Sequence, residues 1–79
     1  MKEIKCIVAA ENANGVPDLY FVKVQCTDEQ YNAGDHYTMA TYSAIREGYE
    51  PMLTYDEFDS AGKAMLPLFN WDSASVVNR

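Results

Sequence analysis

Two runs near the start of the chain place apolar residues at every second position. The first is Ile4, Cys6, Val8 and Ala10; the second is Tyr20, Val22, Val24 and Cys26. That period marks a strand with one buried face, so the first third of the chain predicts a β-hairpin that the rest must cover. The segment between the runs, ENANGVPD, is rich in turn residues. A two-residue turn at Asn14-Gly15 is the simplest closure, but it would set Cys6 opposite Lys23 and Ile4 opposite Gln25. Directly opposed residues share a face, so a loop of odd length, three or five residues, is expected. It pairs Ile4 with Cys26, Cys6 with Val24, Val8 with Val22 and Ala10 with Tyr20, leaving Lys5, Lys23 and Gln25 on the other face. Pro17 would also interrupt tight pairing beside a short turn. In this register Cys6 and Cys26 are diagonal neighbours at ~7–8 Å, too far apart for easy disulfide geometry.

Beyond the hairpin two short phrases rhyme, CTDEQY at residues 26–31 and LTYDEF at residues 53–58. Each has the spacing of a helix start. Thr27 or Thr54 caps the helix, Gln30 or Glu57 reaches back to the cap, and an apolar residue before the cap packs on an aromatic at the fourth helical position. Asp28, Glu29, Asp56 and Glu57 then lie in first turns, where the helix dipole favours anions. On this reading the carboxylates of LTYDEFD begin a helix and are not a catalytic or metal cluster.

The first helix is expected to start at Thr27, pause at Gly34 and restart with Asp35 as a second cap. Met39, Tyr42 and Ile45 lie near one face, and Gly48 closes the helix with Pro51 just beyond. The second helix is expected from about Tyr55, with Phe58, Ala61, Met65 and Phe69 spaced for burial and Pro67 ending or kinking it. The tail SASVVN reads as a third strand beside the hairpin. The fold expected is α+β, a single compact domain over residues 1–79 in the order ββααβ. Its small antiparallel sheet, the N-terminal hairpin plus a C-terminal strand, packs against two helices.

A chain of 79 residues with 48% hydrophobic content supports one small core. No apolar run approaches the ~20 residues of a membrane-spanning helix. The start, MKEIKCIVAAE, has the lysines of a signal peptide, but its apolar run is short and ends in Glu11. A mature cytoplasmic protein is expected, with no membrane partner. Two cysteines, Cys6 and Cys26, fit small buried thiols better than a disulfide framework.

Charge is distributed unevenly. Between Thr27 and Asp59 stand eight acids (Asp28, Glu29, Asp35, Glu47, Glu50, Asp56, Glu57, Asp59) and one base, Arg46, a net of −7. The remaining residues hold four acids and five bases. Direct binding to nucleic acid is therefore not expected, because nothing in the acidic segment would neutralise phosphates.

Chemistry-bearing motifs are absent from the sequence pattern. His36, the only histidine, stands in GDHY without the further ligands of a transition-metal site. It reads as a polar residue in an early helical turn. Neither cysteine has redox or metal spacing, and no base is placed beside either by sequence. DEFDSAGKAML departs from a calcium loop at Phe58 and lacks the closing glutamate. SAGKA lacks the first glycine of a P-loop and has Ala after the lysine. No catalytic residue, metal or cofactor is expected.

What remains is a composition signal. Five of the six tyrosines (Tyr31, Tyr37, Tyr42, Tyr49, Tyr55) fall inside the −7 segment. Tyr37 and Tyr42 stand roughly 140° apart on a helix, so both cannot enter one narrow core stripe. Tyrosines beside carboxylates suit an interface with a basic partner. In size, acidity and lack of catalytic residues the chain is similar to the small proteins with which phages and mobile elements occupy host machinery, anti-CRISPR proteins and DNA mimics among them. That similarity of profile carries over no site. The expected function is a non-enzymatic protein-binding module or inhibitor that presents an acidic, Tyr-rich helical layer to a basic, nucleic-acid-handling protein. Asp28, Glu29, Asp35, Tyr37, Glu47, Tyr49 and Glu50 are the expected contacts. An alternative from another class is a structural or regulatory subunit that forms a homodimer through the outer face of its sheet, where Ile7, Ala9 and Phe21 lie. A small enzyme ranks last, since it would need a pocket and a second acid or base poised against His36.

Overall fold

The computed structural model describes residues 1–78. Strands β1 (Lys2–Glu11) and β2 (Pro17–Cys26) form the expected hairpin, followed by helices α1 (Asp28–Asn32) and α2 (Asp35–Arg46). Then come strand β3 (Glu50–Asp56), helix α3 (Ser60–Met65), two single 3₁₀ turns at Leu66–Leu68 and Trp71–Ser73, and strand β4 (Ser75–Val77). The α+β class and the ββααβ succession hold, with one further strand, β3, between the helices. The sheet is four-stranded and mixed, in the order β3-β1-β2-β4, because β4 pairs parallel with β2.

The hairpin loop is five residues long, Asn12 to Val16, within the expected odd lengths. Asn12 organises it: its Oδ1 accepts from the Asn14 and Val16 amides at 2.9 and 3.1 Å. This side-chain turn centres the loop one residue earlier than Asn14-Gly15-Val16 would. The pairs are therefore Ile4 with Val24, Cys6 with Val22 and Val8 with Tyr20, shifted by two from the expected register but on the same faces. Pro17 is tolerated as the first residue of β2, paired with Glu11. Cys6 and Cys26 are consequently not diagonal neighbours. Both are buried free thiols.

Direction explains the layers. β1 is antiparallel to both β2 and β3, and β4 is parallel to β2, so β2, β3 and β4 all run the same way. Each connection between them must cross the sheet. The β2-to-β3 crossing is α1 and α2, which cover the face bearing Ile4, Cys6, Val8, Val22, Val24 and Cys26. The β3-to-β4 crossing passes over the opposite face, where Phe69 stacks on Phe21 at 4.4 Å and Trp71 meets it edge-on at 5.5 Å. Trp71 is held by its Nε1–H donating to the Leu66 carbonyl at 2.9 Å. The sheet is thus sandwiched between two crossovers, and Ile7, on the face away from α2, is 0% exposed.

Three local expectations need correction. Thr27 and Gln30 form the full capping box at α1, but LTYDEFD does not begin a helix. Thr54 lies in β3 and α3 starts at Ser60 after Asp59, so Phe58 and Ala61 are exposed. Pro67 does end the helical run, inside a 3₁₀ turn. The α2 cap is Gly34 at φ 79°, and Asp35 is the first helical residue. Nor does α2 bury Tyr42 and Ile45, which are 62% and 47% exposed. Its inner face is His36, Met39, Ala40, Ser43 and Ala44. Small residues there let the helix approach a sheet already crowded with β-branched side chains.

Candidate functional site

Local chemistry at the end of β3 brings the polar groups of the chain together. Asp56 Oδ1 accepts from the Phe58 and Asp59 amides at 2.8 and 3.0 Å, the bonding of an aspartate-nucleated turn. Asp59 Oδ2 in return accepts from the Asp56 amide at 2.9 Å and from the Tyr37 hydroxyl at 2.8 Å. Glu57 Oε2 accepts from the Lys5 amide at 2.8 Å, tying the turn to β1. The second oxygen of Asp56 meets His36 Nε2 at 2.8 Å.

His36 lies in the first turn of α2, as expected, but is buried there. It is 2% exposed and its partner Asp56 is 3% exposed. The imidazole lies between two rings, with centroids 4.7 Å from Tyr31 and 4.2 Å from Tyr37. Burial alone would push the Asp56 carboxyl up. The hydrogen bonds from His36, the Phe58 amide, Tyr37 and the Asp59 amide outweigh it and hold the group below its usual value. An ionised carboxylate only accepts, so Nε2 carries the proton, and Nδ1 has no hydrogen-bond partner among the described residues. Burial, and then the neighbouring Asp59 and Asp56 carboxylates, push the Tyr37 hydroxyl well up.

Cys6 stands opposite Asp56 in the ladder and Asp56 in turn holds His36, so one aspartate neighbours both a cysteine and a histidine. The residue types are those of a nucleophilic triad. The physics is not. Burial, with the Asp56 charge next, drives the Cys6 thiol far above its usual range, whereas a nucleophile needs thiolate. The thiol is fully buried, and none of the three surface depressions, which lie along α2 and β4, at the hairpin loop and beside Tyr20, is lined by Cys6, His36 or Asp56. The network fastens α2 to the end of β3. Among the described residues no cluster of three or more metal-ligating side chains occurs, and no helix is long and apolar enough to cross a membrane.

The expected contact residues divide into two groups at opposite ends of α2. Asp28 and Glu29 are exposed on α1, and Asp35 is half-buried at the start of α2. Glu47 and Glu50 are exposed after its end, about 18 Å away for a helix of this length. Asp28 lies 3.5 Å from Lys2 Nζ, an exposed pair of small worth. The tyrosines are more internal than expected. Tyr37 is engaged with Asp59 and His36, and Tyr49 packs on Tyr20 at 5.3 Å between centroids. Of the eight acids in the −7 segment, Asp56, Glu57 and Asp59 serve the turn. Of the other five, Asp28, Glu29, Glu47 and Glu50 are exposed and Asp35 is half-buried.

No direct signal for the His36–Asp56 pair is written in the chain, since its members are twenty positions apart. An indirect signal was present: PMLTY before Asp56 has strand composition, and Asp-x-x-Asp after it suits a turn. Comparison with protein-family models, curated proteins and solved structures finds no match.

Proposed function

We propose that the chain is a non-enzymatic protein-binding module that engages a basic protein surface, of the kind that holds nucleic acid, through the acidic groups of its helical layer. The observation that carries this reading is the exposure of Asp28, Glu29, Glu47 and Glu50, with the half-buried Asp35, around α2 in a segment whose single base is Arg46. Acids grouped in this way raise the encounter rate with a basic partner and repel other acidic surfaces. Two acidic ends separated by a helix offer negative charge at spaced points, as a nucleic-acid backbone does. Occupying such a partner's nucleic-acid site would make the module an inhibitor.

The test is a tagged pull-down at roughly 50 mM and roughly 300 mM salt, a range over which exposed charge pairs are progressively screened. A basic, nucleic-acid-handling protein recovered at low salt and depleted at high salt is the expected result. The Glu47→Lys, Glu50→Lys double variant should bind that partner more weakly and with a flatter salt dependence. Undiminished binding by the double variant would overturn the acidic-surface reading.

A further inference from the structure

The side of α2 turned away from the hairpin carries a stripe of which the reading above uses only Asp35. Asp35, Thr38, Tyr42 and Ile45 follow one another at intervals of three, four and three, the spacing of a helix-pairing seam. Met39 and Arg46 border it. With Val77 of β4 these residues line a groove of about 440 Å³. Tyr42 and Ile45 are the exposed apolar members, an unusual use of two large side chains on a 12-residue helix. The acid at one end and the base at the other suit the helix's own dipole. The dipole does not account for the apolar residues between them.

The charges say what covers the stripe. Arg46 is the single base of the −7 segment, and among the described residues neither it nor Asp35 has an ion-pair partner. A uniformly basic partner would suit Asp35 and be repelled by Arg46. A surface with an acid at one end, a base at the other and apolar residues between is complementary to itself when reversed. Two copies of α2 set antiparallel, centred on Ala40 and Thr41, bring Asp35 of each against Arg46 of the other. They also set Tyr42 of each against Thr38 and Met39 of the other. This is the isologous contact of a two-fold dimer, and the two helix dipoles oppose one another favourably.

We infer that the α2 stripe is a homodimer interface whose occupant is the same stripe of a second copy. Of the acidic-surface residues the interface uses Asp35 alone and none of Asp28, Glu29, Glu47 or Glu50, so it goes beyond that reading, and the Arg46 variant tests it without altering any of the five acids. It also lies on the opposite side of the sheet from Phe21.

Charge exchange tests it. Arg46→Asp places acid at both ends of the stripe, and Asp35→Arg places base at both. Sedimentation equilibrium of the parent and each variant, from about 1 µM to about 1 mM, spans weak to moderate association. The parent should dimerise with rising concentration, and each variant alone should associate about tenfold more weakly. An equimolar mixture of the two variants, each first shown folded by circular dichroism, should recover dimer mass, since acid-ended and base-ended stripes are complementary. A parent that stays monomeric up to about 1 mM would overturn the inference and return the stripe to a foreign partner. So would a mixture no heavier than its components.

Discussion

His36 Nε2 lies 2.8 Å from Asp56 Oδ2, joining the first turn of α2 to the last residue of β3 across twenty positions of sequence. Both side chains are buried, so removing one leaves the other uncompensated. Asp56→Ala should lower stability by about 3–5 kcal/mol, a large share of the roughly 4–12 kcal/mol typical for this chain length. Asp56→Asn retains an acceptor for the turn amides and should cost less. Urea denaturation followed by circular dichroism ranks the two. Equal stability of the parent and Asp56→Ala would show that the pair contributes nothing.

The same pair sets an acid limit. The folded Asp56 carboxyl titrates below its ordinary value, so it binds its proton less readily than in the unfolded chain. Its stabilisation is complete above the unfolded value of about 3.9 and drains away as pH falls through the lower, folded value. The urea midpoint of the parent should drop steeply below about pH 4. That of Asp56→Asn should drop less over the same window. Parallel curves would remove Asp56 from the account of acid unfolding.

A neutral hydrogen bond offers a cleaner energetic measurement. Tyr20 Oη and Ser43 Oγ stand 2.7 Å apart in the buried seam between β2 and α2. Ser43→Ala strands the tyrosine hydroxyl and should cost about 1–3 kcal/mol. Tyr20→Phe added to it removes the stranded group, so the double variant should be more stable than Ser43→Ala alone. A strictly additive cycle would mean the hydroxyls do not depend on one another.

Gly62 is required for a different reason. A Cβ built there would fall far inside contact distance of the Asp56 carbonyl oxygen, which is backbone and cannot swing aside. Gly62→Ala should therefore push α3 off the turn, at about 1–3 kcal/mol. The displacement should reach Trp71, which α3 positions through Leu66. A red shift of tryptophan emission in the still-folded variant is the expected signature, and an unchanged spectrum with unchanged stability would refute the close approach.

The parts of this fold that the sequence disclosed are the ones written within a few residues of each other. Alternation places Ile4, Cys6 and Val8 on one face because strand period is a local property. The Thr27–Gln30 box closes within a single turn. The register slipped by two because Asn12, outside the assumed loop centre, closes the loop with its side chain. LTYDEFD deceived for a deeper reason. Its Thr-x-x-Glu spacing fits a helix start, and the alternative depends on Asp56 pairing with Cys6, fifty positions upstream. The buried histidine was hidden in the same way. Nothing near His36 announces that its partner will arrive from another strand.

One irregularity at the sheet's border bears on how the protein behaves in a crowded solution. β3 is an edge strand whose Met52 and Leu53 are exposed, the composition of a strand that could template fibrils. Its pairing with β1 shifts register between Ala9 and Ala10, leaving Met52 as an extra residue beside Pro51. The bulge throws the outward ladder out of step, and the proline supplies no amide to extend it. Another chain's strand meeting this edge finds no continuous row to copy. The irregular turn of backbone at Met52 thus blunts an edge that, if regular, would invite strand-to-strand association.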